Sequence, residues 1–228
     1  MYNIVIVVII VSIVILLIRR GLQACRAAQQ TDWGSPILNY LDGLNRLFCQ
    51  KYHRFQFTPI ALPVEGAALV VSNHTSGLDA FLLVAATQRP LRFLIAREEY
   101  ERFGLKWLFK AVGCIPVDRS KHPEQALRTA LRSLEMGEVI ALFPQGRIVL
   151  PHESVKLKRG SIWLAQQSGC PIFPAHISGV RSVGSVFTCI VLRGHTQLIS
   201  YPTLNNVTDD SLPQLKQLLE NSKEMNNV

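Results

Sequence analysis

The sequence predicts an α/β fold, a mainly parallel sheet flanked by helices, with an N-terminal membrane-anchoring helix before it. Three observations carry this reading. From Gly66 onward, short apolar runs alternate with helix-length segments, the pattern of parallel strands joined by covering helices. Residues 2–18 are nearly all Val, Ile and Leu, with Asn3 and Ser12 as polar interruptions. Polar clusters follow several of the apolar runs, where an open parallel sheet binds its ligands.

The first apolar run spans roughly 26 Å as a helix, just enough to cross a hydrocarbon core. Arg19-Arg20 closes it. The charge lies after the run, which fits an uncleaved anchor rather than a signal peptide. By the positive-inside rule the remainder of the chain then faces the cytoplasm. The length leaves a re-entrant or interfacial helix open. Residues 1–20 are thus expected as anchor and 21–60 as an amphipathic, membrane-proximal helical segment. Residues 61–228 are expected as the α/β domain. In the second segment Ser35-Pro36 reads as a helix start. After it Ile37, Leu41, Leu44 and Phe48 share one face, with Asp42, Asn45, Arg46 and Gln50 elsewhere. That apolar face suits a bilayer surface or packing on the domain; both readings stand at this point.

Within the domain, strands are expected at 67–71, 91–96, 114–117, 139–143 and 171–177. Helices are expected at 80–86, 98–112, 123–136, 161–167 and 212–220. Residues 186–192 and 196–201 suggest a terminal hairpin around Arg193-Gly194-His195. Tyr100, Phe103, Trp107 and Phe109 crowd the second of these helices. Such density suits a core, an acyl-chain groove or a lipid interface.

The formal charge is +8 and the pI about 9.5. Residues 1–60 carry six basic and two acidic side chains, and residues 141–200 carry six and one. An excess beside the anchor and in one later region fits an anionic membrane surface and an anionic ligand. No basic run is interleaved with aromatics, so nucleic acid is not an expected partner. Five cysteines at wide spacing, with no CxxC, indicate neither a metal site nor a disulfide framework. A reducing, cytosol-facing domain fits them.

Asn73-His74-Thr75-Ser76-Gly77-Leu78-Asp79 lies between the first strand and the first helix of the domain. A carboxylate five residues after a histidine can return to the imidazole within about one helical turn. The pair could then deprotonate a hydroxyl. Ser76-x-x-Asp79 also reads as a capping-box variant, a purely structural alternative. Arg97, Arg119 and Arg147 each follow a strand, and guanidiniums on one rim can grip a phosphate by their fork. Gly146 in a tight turn lets the backbone approach a ligand.

These blocks resemble the glycerolipid acyltransferase family typified by bacterial 1-acylglycerol-3-phosphate acyltransferases. The resemblance covers roughly residues 66–179 and rests on four blocks in order. N-H-x-x-x-x-D is Asn73-His74 through Asp79, and G-x-x-x-x-x-R is Gly113 through Arg119. F-P-E-G-T-R corresponds to Phe143-Pro144-Gln145-Gly146-Arg147. V-P-I-x-P-V corresponds to Cys170-Pro171-Ile172-Phe173-Pro174-Ala175. The resemblance implies His74 as general base and Asp79 as its orienting partner. It implies direct attack of the acceptor hydroxyl on an acyl thioester, carried by coenzyme A or acyl carrier protein, with no other cofactor. Arg119 and Arg97 would serve the acceptor phosphate, Gly113 would join substrate binding through the second block, and Pro144, Gln145, Gly146 and Arg147 would hold the glycerol. The implied acceptor is a lysophospholipid drawn from the membrane lipids, with 1-acylglycerol-3-phosphate first. Gln145 stands where the family has Glu, and Arg147 where Thr is common. Another lysolipid or glycolipid acceptor, or a silent lipid-binding protein, are the alternatives. A serine hydrolase is disfavoured because no G-x-S-x-G elbow occurs.

Overall fold

The computed structural model describes residues 2–150, 153 and 156–220. Residues 221–228 of the expected α/β domain lie outside the described residues. Seven strands form one sheet in the order β1-β7-β6-β2-β5-β3-β4. They are β1 (Gln56–Phe57), β2 (Ala68–Ser72), β3 (Leu91–Ala96), β4 (Ile115–Val117), β5 (Val139–Leu142), β6 (Ile172–Ser178) and β7 (Gln197–Ser200). The β6–β7 pair is antiparallel and the other pairs are parallel. β2 and β5 sit at the centre and are buried along their whole length, as their unbroken apolar runs require.

Helices cover both faces. α3 (Asp79–Ala85) packs Leu82 and Leu83 against Val70, Ala141 and Phe173. On the other face α6 (Pro123–Glu135), α7 (Gly160–Ser168) and α9 (Ser211–Glu220) enclose Leu69, Ile140 and Ile172.

The N-terminal helix α1 (Tyr2–Ala28) runs through Arg19-Arg20 for two further turns. It buries none of its side chains and is long and apolar enough to cross a membrane. Its last turns cross α2 (Pro36–Leu47), where Gly43 permits close approach: a Cβ there would lie 1.8 Å from the Cys25 carbonyl oxygen. A π-helical turn, Phe48–Tyr52, extends α2.

The facing of α2, left open by the sequence, is visible, and two sequence expectations need correction. The polar side of α2 faces inward: Asp42 and Arg46 are buried while Ile37 and Leu44 are exposed. Arg46 bonds Asp42 Oδ2 at 2.8 Å, and its two terminal nitrogens donate to the carbonyls of Val84, Ala85 and Thr87. Those carbonyls lie at the C-terminal end of α3, where the helix leaves acceptors for a cation. The helix expected at 98–112 is broken into α4 (Arg97–Tyr100) and α5 (Lys106–Ala111). Gly104, at φ 80°, turns the chain between them. The expected terminal hairpin is absent. Residues 188–191 form a helical turn, α8 (Thr188–Val191), because the Ser185 hydroxyl accepts from the Phe187 and Thr188 amides. β7 pairs instead with β6 and β1.

Candidate functional site

The loop after β2 is fixed before it reaches His74. The Asn73 amide takes the place of a strand neighbour, donating to the Ile177 carbonyl at 2.8 Å and accepting from the Ile177 amide at 2.7 Å. The chain then curls around Asp79, whose carboxylate is fully buried. The Thr75 and Ser76 amides donate to Oδ2 at 2.6 and 2.9 Å, and the Ser76 hydroxyl to Oδ1 at 2.6 Å. His74 Nδ1 lies 3.0 Å from the same Oδ2. An acceptor-only carboxylate makes Nδ1 the donor, which leaves the Nε2 lone pair free. The ring stacks on Phe143, centroids 4.0 Å apart and planes within 10°. Its side chain retains 21% exposure. A histidine so oriented, so backed and still open to solvent can take a proton from a bound hydroxyl.

Sheet register places the other candidates relative to His74. Val71 pairs with Leu142, Leu91 with Val139, and Ala96 with Val117. These strands run parallel, so the segments that follow them, with His74, Gln145, Arg97 and Asp118, leave the same end of the sheet. Arg119 follows Asp118 on the outermost strand. Arg97 is exposed, and its Nη1 lies 3.9 Å from Asp118 Oδ2. Hydrogen bonds from Ser120 and the Lys121 amide hold the Asp118 carboxyl below its ordinary value. The Arg119 side chain is exposed and makes no ion pair or hydrogen bond among the described residues. Gly113 is not on this rim. It sits at the amino end of β4, level with Arg92. It is five residues, hence about 17 Å, down the strand from Asp118. A Cβ at Gly113 would meet the Arg92 guanidinium at 2.1 Å. At this position a side chain would collide with Arg92, a packing reason for glycine.

The third block turns tightly beside His74. The Gly146 amide donates to the Phe143 carbonyl at 2.9 Å, with Gly146 at φ 71°. The Val149 amide donates to the His74 carbonyl at 2.8 Å, which ties the two loops together. Pro144 is buried and its carbonyl accepts from the Lys158 amide at 2.8 Å. Lys158 lays its ammonium over Gly146: a Cβ there would meet Nζ at 2.6 Å. Gln145 Oε1 is buried with no hydrogen-bond partner among the described residues. A buried acceptor without a donor is the feature a ligand hydroxyl would complete. Arg147 turns to Glu153 at 2.8 Å, so its charge is shared with a carboxylate.

Two contributors carried no sequence signal for their roles. Phe143 reads as the end of a strand, and only the fold stacks it on His74. His176 lies in β6 and is buried. Burial pushes its imidazole below the ordinary value, and the nearby Asp79 carboxylate partly opposes this. Among the described residues no group of three His, Cys, Asp or Glu could hold a metal ion. Two surface hollows have linings that include none of the rim residues, one between α1 and α2 at Arg19, Arg26 and Tyr40, the other at Lys156, Leu212 and Lys216.

Comparison with known proteins bears on this arrangement. A family model described as Acyltransferase matches residues 54–178. The chain is 25% identical over 166 residues to the 1-acyl-sn-glycerol-3-phosphate acyltransferase of Bacillus subtilis, covering 72% of this chain and 80% of the relative. It is 33% identical over 134 residues to a probable 1-acyl-sn-glycerol-3-phosphate acyltransferase of Mycoplasma genitalium, covering 56% of this chain and 49% of that relative. The match thus spans about half the length of the Mycoplasma protein. The crystal structure of the 1-acyl-sn-glycerophosphate (LPA) acyltransferase PlsC from Thermotoga maritima superposes with a TM-score of 0.62 at 18% identity. That alignment covers 79% of this chain and 77% of the other, a likeness of fold.

Proposed function

The chain belongs to the acyltransferase family, and from that premise we propose that it acylates the free hydroxyl of a lysophospholipid. The proposed acceptor is 1-acylglycerol-3-phosphate, giving phosphatidate, and the donor is a fatty acyl thioester of coenzyme A or acyl carrier protein. The relatives that carry the acceptor in their names support this acceptor, and the family match spans the residues of the rim. The observation that carries the reading is the His74–Asp79 pair, with Nδ1 turned inward and the opposite ring edge open.

In this mechanism His74 Nε2 takes the proton of the acceptor hydroxyl. The freed oxygen attacks the thioester carbonyl carbon, forming the ester bond as the carbon–sulfur bond breaks. The imidazolium returns its proton to the departing thiolate. Asp79 holds the ring and stabilises the imidazolium. Ser76 is fully buried and its hydroxyl is spent on Asp79, which supports direct transfer over an acyl-serine. Gln145 Oε1 accepts from a glycerol hydroxyl. Arg119 and Arg97 meet the phosphate, with Arg119 free of other partners among the described residues and Arg97 shared with Asp118. The apolar α1 anchors the chain in a membrane, and the outward Ile37–Leu44 stripe of α2 lies against the bilayer surface.

The test is an assay of the membrane-reconstituted protein against labelled lysophosphatidate, a lysophosphodiester and a neutral lysolipid, each with both donor types. Phosphatidate formed fastest is the expected outcome. Faster acylation of another lysolipid would move the acceptor, a reading that Gln145 in place of a carboxylate favours. No transfer to any acceptor from either donor would leave a lipid-binding protein.

A further inference from the structure

The connection between β6 and β7 leaves the sheet, makes the α8 turn and returns at Gln197. Its apolar tips point outward: Val191 is 70% exposed and Leu192 47%. They adjoin the far end of α2. The Tyr52 hydroxyl donates to the Val191 carbonyl at 2.5 Å. Arg193 donates to the carbonyls of Tyr52 and Lys51 at 2.9 and 3.4 Å, with its guanidinium 6.0 Å from the Tyr52 ring centroid. Arg54 donates to His195 Nε2 at 2.5 Å. Basic Lys51, Arg54 and Arg193 therefore border exposed Tyr52, Val191 and Leu192.

The segments that form this patch carry no carboxylate of their own, and Glu99, paired with Arg102, reaches the connection at its Phe187 end. Residues 43–64 and 154–208 contain neither Asp nor Glu. Among the described residues no ion pair involves Lys51, Arg54 or Arg193. An ordinary soluble surface mixes signs and avoids apolar tips, whereas apolar tips ringed by cations match an anionic lipid interface.

We infer that residues 187–195, with Lys51 and Arg54, form a second bilayer contact that selects anionic phospholipid. The inference rests on the membrane reading of α1 and adds to it a surface that α1 does not supply. It bears on the site, because the same connection is bonded to the loop carrying His74. The Gly184 amide donates to the Thr75 carbonyl at 2.8 Å, and the Gly77 amide to the Ser185 carbonyl at 3.0 Å. A Cβ on Gly77 would lie 2.2 Å from the Val186 carbonyl oxygen, so the two strands of chain touch directly. Seating the connection on the bilayer brings the His74 loop to the headgroup layer, where a lysolipid presents its hydroxyl.

The experiment uses the full chain carrying Leu192→Trp, with wild-type fluorescence subtracted, on vesicles of brominated phosphatidylcholine with or without about 30% phosphatidylglycerol. Co-flotation with the neutral vesicles reports α1 separately. Quenching of the introduced indole is expected to be at least about twofold stronger on the anionic vesicles. It should fall to the neutral level in Lys51→Glu/Arg54→Glu and, with the native charges kept, at about 0.5 M salt. A protein that floats while its indole is quenched on neither lipid, or equally on both, overturns the inference and leaves the anchor standing. A protein that floats with neither lipid overturns both.

Discussion

His74 Nδ1 and Asp79 Oδ2 are 3.0 Å apart, and that oxygen also accepts from two backbone amides. The pair is therefore positioned by the main chain and not by side-chain chance. His74→Ala should lower acyl transfer by about 100-fold or more, the usual worth of a general base. The variant should stay folded and membrane-bound, because the ring is part-exposed and packs on one side only. Asp79→Asn should lose activity similarly and also stability. Its amide NH2 would face donors that now converge on an oxygen, at a cost of about 1–3 kcal/mol. Turnover assays beside thermal melts separate the two effects. An H74A protein keeping a tenth of wild-type turnover would remove His74 from the chemistry.

The alternation of strands and helices after Gly66 was legible because each central strand is buried on both faces and reads as an unbroken apolar run. The spacing of His74 and Asp79 was legible because loop and helix start are adjacent in sequence. What was not legible depends on partners far along the chain. The apolar stripe of α2 left an inward and a bilayer-facing reading open, because Arg46 is drawn in by carbonyls 38 to 41 residues later. Gly113 stands six residues before Arg119, and only the strand register separates it from the rim. His176 sits in a buried strand, where nothing in the local pattern marks a neighbour of Asp79.

Arg46 supplies a stability prediction. It is 1% exposed and joins Asp42, Thr31 and Gln30 to the end of α3. Arg46→Met removes one member of a buried ion pair and leaves Asp42 without its countercharge. A loss of about 3–5 kcal/mol is expected, read as a lower denaturant midpoint. An unchanged midpoint would show that α2 docks on α3 without this network.

Acid should weaken the fold through two histidines. Burial holds His53 and His176 below the ordinary value of 6.5. The folded state thus favours their neutral forms. The stabilisation is complete above the unfolded value and is lost as pH falls below about 6.5 toward the depressed folded values. Melting temperature should decline between about pH 7 and 5.5, and His176→Gln should flatten part of that decline. An equally steep decline in the variant would assign the acid sensitivity elsewhere.

The acceptor can be probed from both ends of the rim. Arg119 carries no ion pair or hydrogen bond among the described residues, whereas Arg97 already faces Asp118. Arg119→Ala should therefore chiefly raise KM for lysophosphatidate. A charge-assisted hydrogen bond of about 1.5–3 kcal/mol corresponds to about 10- to 150-fold. Lysine should restore only part, because an ammonium lacks the bidentate fork. If the lost contact strengthens in the transition state, kcat falls as well. Gln145→Glu tests the other end, where a buried amide oxygen awaits a donor and Lys158 lies over the neighbouring Gly146. A carboxylate there would still accept from a glycerol hydroxyl and would gain the nearby ammonium, so activity on lysophosphatidate should hold or rise. If Gln145 instead serves a bulkier or more anionic acceptor, the carboxylate should depress transfer to that acceptor while improving the ordinary one. Both variants are measured against lysophosphatidate, a lysophosphodiester and a neutral lysolipid. Equal loss on all three in R119A would make Arg119 structural and return the phosphate to Arg97 alone.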